Sequence, residues 1–220
     1  MLSQAGENKI ALVTGASRGL GASISYWIAQ KGYTLITVAR TVGGLEELDD
    51  KIRATGGKSF LCVLDITKDK EVQTVCRNIY EKWGLIDLWV HTAICATPLT
   101  LTNQIEQKTL ERSVAVNITA TSHLISCIHP LLKKSGQAVF IADPRLGKKF
   151  MGVYGSTKRA QIELATTWKE ETTNLGPKVN IYTPSEMYTK TTLTFYPGVK
   201  EKDISTPDEE AKKLVDILIS

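Results

Sequence analysis

The run Thr14-Gly15-Ala16-Ser17-Arg18-Gly19-Leu20-Gly21 follows Ile10-Ala11-Leu12-Val13, an apolar segment with the length and branching of a buried strand. Behind it, Leu20, Ile24, Trp27 and Ile28 recur at helical spacing, so the run is a strand-to-helix turn. Its glycines permit positive φ and place no side chain between backbone and ligand. Free N–H groups at the following helix N-terminus can then receive a phosphate. A glycine-rich turn alone is a cheap pattern. At the head of a strand–helix–strand unit it points to dinucleotide binding through Gly15, Ser17, Arg18, Gly19, Leu20 and Gly21.

Outward from this turn, strand-like and helix-like segments alternate along almost the whole chain. Strands are expected at Thr34 to Ala39, Ser59 to Leu64, Leu85 to Val90, Ala138 to Ile141 and Lys178 to Tyr182. Helices are expected at Leu45 to Ala54, Lys68 to Trp83, most of Asn103 to Leu132, and Gly152 to Asn174. Apolar strands alternating with helices imply an α/β fold: a Rossmann-like, doubly wound parallel sheet covered on both faces. The expected strand order is 3-2-1-4-5-6, with the ligand at the switch point beyond the strand C-termini. Thr206-Pro207-Asp208-Glu209 is a helix start, with a Thr cap, Pro at the first position and acids in the first turn. No repeat or linker-like run divides the 220 residues, so one domain over 1–220 is expected.

A net charge of +4 is too mild, and the lysines too scattered, to suggest a nucleic-acid partner. Cys62, Cys76, Cys95 and Cys127 form no C-x-x-C pair, and the histidines lack metal-ligand spacing, so neither disulfide framework nor metal site is indicated. Met1 to Lys9 carries no apolar signal core and no stretch approaches transmembrane length. A cytoplasmic protein without a membrane partner is expected.

Two patterns bear on chemistry. Strand two ends Val38-Ala39-Arg40, and no acid occurs between Thr34 and Glu46 to accept hydrogen bonds from a ribose 2′-hydroxyl. Arg18 and Arg40 could instead meet a 2′-phosphate, which favours NADP(H), with NAD(H) still possible. Tyr154-Gly155-Ser156-Thr157-Lys158 places a phenol and an amine one helical turn apart. The phenol could donate a proton, and the nearby cation would lower its pKa. Tyr196-Pro197-Gly198-Val199-Lys200 has the same spacing, but Pro197-Gly198 makes helical facing unfavourable there.

With these motifs the chain, from about Lys9 to Thr189, resembles the short-chain dehydrogenase/reductase family, in what looks like a poorly characterised bacterial branch. The family's T-G-x-x-x-G-x-G stands at Thr14 to Gly21 and its Y-x-x-x-K at Tyr154 and Lys158. The resemblance implies a hydride transfer between nicotinamide and a small-molecule carbonyl or alcohol. Tyr154 would be general acid, Lys158 would bind the nicotinamide ribose, and Asn117 would hold a water of the proton relay. It also implies that Asp65 meets the adenine amino group, that Ala93 lies against the cofactor and that Thr189 lies near the nicotinamide amide. Relatives commonly assemble through the long fourth and fifth helices, so a homodimer or homotetramer is expected.

Three departures stand out. The family's N-N-A-G after strand four is His91-Thr92-Ala93-Ile94 here, and Ile94 lacks glycine's backbone freedom. The serine that usually precedes the tyrosine by about a dozen residues is missing from Phe140-Ile141-Ala142-Asp143-Pro144-Arg145. Asp143 could replace it as a donor only if burial kept its carboxyl protonated. Losing one such donor typically slows a reaction about a hundred- to a thousandfold. Ser185 stands where a glycine of the P-G motif is usual, and no seventh strand is evident. A degenerate relative that binds NADP(H) as a sensor or scaffold is therefore the alternative. Residues 189–206, with Leu193, Phe195 and Tyr196, are expected either to form a lid or to pack as ordinary core.

Overall fold

The structure is a computed structural model describing residues 8–219. The expectation for the N-terminal stretch thus falls, through residue 7, outside the described residues. Six strands pair in parallel: β1 (Ile10–Thr14), β2 (Thr34–Ala39), β3 (Lys58–Val63), β4 (Ile86–His91), β5 (Leu132–Ile141) and β6 (Lys178–Tyr182). Their order is β3-β2-β1-β4-β5-β6, as expected, with no seventh strand among the described residues. The helices are α1 (Gly19–Gln30), α2 (Val42–Ala54), α3 (Asp69–Trp83), α4 (Gln107–Val114), α5 (Ala120–Ile128), α6 (Gly152–Thr172), α7 (Lys190–Phe195) and α8 (Pro207–Leu218).

Side chains alternate across each strand, so each strand feeds both faces of the sheet. Leu12, Ile36, Trp89 and Phe140 pack beneath α3, α5 and α6. Val13, Leu35, Val90 and Val139 pack beneath α1, α2 and α8. Trp89 is wholly buried, with Phe140 edge-on at 5.3 Å and Trp168 of α6 at 6.1 Å. Two-sided burial explains why the central strands read as unbroken apolar runs.

Two expected elements are corrected. Residues 103–132 are not one helix. They form a 3₁₀ turn at Thr102–Gln104, α4, a π-helical turn at Ala115–Thr119, α5 and a second 3₁₀ turn at His129–Leu131. Apolar periodicity cannot register such changes of pitch. Strand five starts at Leu132 rather than Ala138, because its first half is irregular: Ile86 pairs with Leu132, but Leu88 with Gln137. The regular ladder to β6 begins only at Gln137.

Helix α8 closes one face against α1 through Ala211, Leu214 and Val215. Its start is a full capping box: Glu209 N–H donates to Thr206 Oγ1 (3.2 Å), and Thr206 N–H donates to Glu209 Oε2 (2.9 Å). Thr206→Ala removes one half of it and should lower the unfolding free energy by about 1 kcal/mol. Urea denaturation followed by tryptophan fluorescence measures this, since Trp27 donates to Asp208 in the first turn of α8.

Candidate functional site

The strand C-termini open onto one cleft of about 530 Å³. It lies where β1 and β4 are neighbours and the chain leaves them towards opposite sheet edges, the position at which doubly wound sheets bind ligands. Gly15, Arg40, Asp65, Ala93, Asp143 and Pro184 line it, one from the segment beyond each strand.

The floor is a close approach of two backbones. Gly15 has φ +89°, and a Cβ there would lie 2.6 Å from both Ala93 N and Thr92 Oγ1. A Cβ on Gly21 would collide with the Gly15 carbonyl and the Thr92 hydroxyl. Thr92 Oγ1 donates to the Thr14 carbonyl (2.9 Å) and to that of Gly15 (3.2 Å). Helix α1 then starts at Gly19, with Arg18 extended before it and no side chain capping the first turn. Such an end presents unpaired N–H groups to an anion. Ser17, Leu20 and the exposed Arg18 and Arg40 line the same cleft, as does Thr189, which faces Gly19. Asp65 Oδ1 accepts from Thr67 N and Oγ1. Burial would raise the Asp65 carboxyl, but these bonds and the nearby Arg40 and Lys68 charges hold it below its usual value. The glycine cradle, uncapped helix end and two arginines fit a phosphate-bearing dinucleotide.

The wall opposite is α6, where Tyr154 and Lys158 share one buried face. The second tyrosine–lysine spacing, Tyr196 to Lys200, lies beyond the end of α7 and is not helical. Tyr154 Oη donates to Asp143 Oδ2 at 2.8 Å, and its ring packs 5.1 Å from Phe195 of α7. Asp143 Oδ1 also accepts from Arg145 N (2.9 Å) and Nε (2.8 Å), and Oδ2 from Arg145 Nη2 (2.7 Å). Arg145 Nη1 donates to Thr192 Oγ1 (2.9 Å), and the guanidinium stands 5.0 Å from the Phe195 ring centre. Burial alone would raise the Asp143 carboxyl; the hydrogen bonds and charge of Arg145 hold it below its usual value. Asp143 is thus an ionised acceptor, and the possibility of a protonated donor is closed.

Lys158 Nζ donates to Gln161 Oε1 at 2.6 Å. That contact fixes the Gln161 amide, because an ammonium can only donate. Its NH₂ therefore faces Thr121 Oγ1 (2.9 Å) and His91 Nε2 (3.2 Å). His91 Nε2 is then an acceptor, and Nδ1 carries the proton donated to Thr14 Oγ1 at 2.7 Å. Burial, seconded by the Lys158 charge, lowers His91 to about 3, so the ring is neutral. Burial also lowers Lys158, to about 8. The expectation that Lys158 depresses Tyr154 is corrected: burial and the Asp143 carboxylate raise the phenol well above its ordinary value, and the amine is turned to Gln161.

Asn117 is fully buried in the π-helical turn. Its Oδ1 accepts from Cys95 N (2.7 Å), while Nδ2 donates to Cys95 O (3.1 Å), Thr157 Oγ1 (3.0 Å) and Ser113 Oγ (3.2 Å). It staples the segment after β4 to α4 and α6. Ile94 is not among the described residues with positive φ, so its lack of glycine freedom brings no strain. It packs instead with Tyr154, Met151 and Phe195.

Sequence reasoning missed Arg145, Gln161 and α7. Arg145 had a readable signal, an arginine two residues after an acid that precedes the tyrosine. Gln161 had one in its position three residues after Lys158. Helix α7 had little: six residues capped by Thr189, whose Oγ1 accepts from Thr192 N at 3.2 Å. Among the described residues no group of His, Cys, Asp and Glu could hold a metal, and no helix is long and apolar enough to cross a membrane.

Comparison with known proteins agrees with this geometry. An uncharacterised oxidoreductase of Listeria monocytogenes is 26% identical over 197 residues, covering 87% of this chain and 74% of the relative. A short chain dehydrogenase from Pseudomonas syringae superposes with a TM-score of 0.88 at 23% identity, over 97% of this chain and 88% of that one. Another, from Escherichia coli and complexed with NADPH, gives a TM-score of 0.85 at 22% identity, over 97% and 90%. The sequence model of the short chain dehydrogenases matches residues 9–198. With that match across most of its length, the chain belongs to the short-chain dehydrogenase/reductase family of oxidoreductases.

Proposed function

We propose that the protein is an NADP(H)-dependent oxidoreductase that interconverts a small carbonyl compound and its alcohol. One observation carries this reading: the Tyr154–Lys158 face of α6 and the glycine cradle of β1–α1 line the same cleft. The bound nicotinamide would supply or accept the hydride. Gly15, Ser17, Gly19, Leu20 and Gly21 let the pyrophosphate reach the α1 N-terminus, and Asp65 and Ala93 flank the adenosine and central portions. Lys158 and Thr189 hold the nicotinamide end. Tyr154 passes its proton to the substrate oxygen, and Asn117 keeps the Cys95 segment, part of the cleft wall, in place.

NADP(H) is preferred over NAD(H) because Arg18 and Arg40 stand at the cleft with no acid ending β2. The Escherichia coli relative complexed with NADPH supports the same choice. Alanine at Arg40 should weaken NADPH binding about tenfold to a hundredfold, the size of one charged hydrogen bond, and leave NADH binding unchanged. Fluorescence titration with both nucleotides measures this; equal losses for the two would remove the arginine from the 2′-phosphate site.

Tyr154→Phe should leave NADPH binding intact and slow carbonyl-dependent NADPH oxidation at least about a hundredfold. An unchanged rate would remove Tyr154 from the chemistry. NADPH binding by the wild-type protein with no Tyr154-dependent turnover across a carbonyl panel would instead describe a binding protein.

A further inference from the structure

The buried ion pair beside Tyr154 has a chemical consequence that the family motif does not carry. A phenol has one proton to donate. Here it goes to a carboxylate whose other acceptor sites are taken by Arg145, and both partners are nearly inaccessible, with side-chain exposures of 8% and 6% for Arg145 and Asp143. Ionising Tyr154 would set a phenolate against that carboxylate, at hydrogen-bond distance, with no proton left between them.

We propose that Asp143 is a positioning residue that holds the phenolic proton on Tyr154 through the neutral and alkaline range, so that the site is a proton donor suited to carbonyl reduction. The proton-accepting phenolate needed for alcohol oxidation then forms only at strongly alkaline pH. This rests on the oxidoreductase reading above. In reduction the carbonyl carbon gains a hydride from NADPH, which leaves as NADP⁺, and the oxygen gains the Tyr154 proton. The phenolate that remains recovers a proton from water. Oxidation of the alcohol runs the same steps backwards and must start from the phenolate. The overall equilibrium is untouched; Asp143 sets the pH at which donor gives way to acceptor.

The surrounding charges do not reverse this. Arg145 opposes the carboxylate, but two of its three nitrogens are already bound to Asp143 and the third to Thr192. Lys158, one turn along α6, donates a hydrogen bond to Gln161 and is lowered by burial to about 8, so it is neutral before an ordinary phenol ionises near pH 10. His91 on β4 is neutral throughout that range. Of the remaining charges on the cleft walls, Arg18, Arg40 and Asp65 come from the segments after β1, β2 and β3, Lys108 and Arg112 from α4, Glu186 from the β6–α7 segment and Lys190 from the start of α7. The dominant influences on the phenol are its burial and then Asp143, which both raise it, while Arg145 lowers it.

The test is the ultraviolet phenolate absorbance of the wild-type protein minus that of Tyr154→Phe, recorded against pH. No Tyr154 phenolate should form up to about pH 10. In Asp143→Asn the Arg145 charge is left unopposed, and the Tyr154 titration should fall by about 1–3 pH units. The alkaline limb of carbonyl-dependent NADPH oxidation should move down with it. A Tyr154 phenolate at or below pH 10 in the wild type overturns the proposal, and so does an Asp143→Asn titration that does not move. If Asp143→Asn does not fold, a Tyr154 phenolate at or below pH 10 in the wild type still overturns the proposal. If Tyr154→Phe keeps full turnover, the oxidoreductase assignment of Tyr154 fails while the titration still reports on Asp143.

Discussion

Everything in the site hangs on how closely the end of β1 approaches the end of β4. Gly15 and Gly21 have no room for a Cβ because the Thr92 hydroxyl fills it, and that hydroxyl is held by the Thr14 and Gly15 carbonyls. The contact joins the glycine turn to the segment that follows β4. It thereby fixes where the first turn of α1 points, and a helix N-terminus is useful to a phosphate only if its N–H groups are aimed. Two-sided burial of the central strands makes the arrangement stiff. Leu12, Val13, Trp89 and Val90 are all fully packed, so neither strand can shift without disturbing cores on both faces.

A second connection runs deeper, from Thr14 through His91 and Gln161 to Lys158. Each link determines the next: the amine sets the amide, the amide sets the imidazole tautomer, and the imidazole donates to the strand that carries the glycine turn. Buried polar chains of this kind are tolerable only when every member is paired. The network therefore couples the α6 wall to the β1 floor. His91, a departure from the family's N-N-A-G motif, gives that segment a rigid bridge, with a ring able to accept on one nitrogen and donate on the other.

The fold was legible because long-range burial writes itself into short apolar runs. Strand six and the strand order are as the pattern of residues requires, and α8 announces itself through Thr206, Pro207 and Glu209. The glycine turn, Tyr154, Lys158 and Asn117 were legible as types and positions, and the cleft brings all but Asn117 to its lining, Asn117 acting from behind Cys95. What could not be read was orientation. Nothing in Tyr154-x-x-x-Lys158 says that the amine turns to Gln161, and the π-helical turn at Asn117 has no compositional mark. Residues 189–206 pose the same difficulty: Phe195 packs on Tyr154 as core does, while Arg145 ties α7 to the acid beside the phenol.

That tie is the reason the missing serine is not a simple loss. A lone carboxylate in its region would be an unpaired buried charge, which is strongly destabilising. Asp143 is instead saturated, with four donors on two oxygens, and Arg145 binds Asp143 and Thr192 through all three side-chain nitrogens and stands over the Phe195 ring. Buried ion pairs bring little net stability even when well made, because desolvation offsets the attraction. Stability is therefore a weak reason for this one, and a leucine–leucine pair would serve packing as well. What such a pair would not do is engage the phenol on one side and α7 on the other. The carboxylate fixes the protonation state and direction of Tyr154, and the guanidinium fixes the helix that roofs it. In the proposed carbonyl reduction the substrate oxygen would draw the Tyr154 proton away from an anion, which would favour acceptors that gain basicity as the hydride arrives.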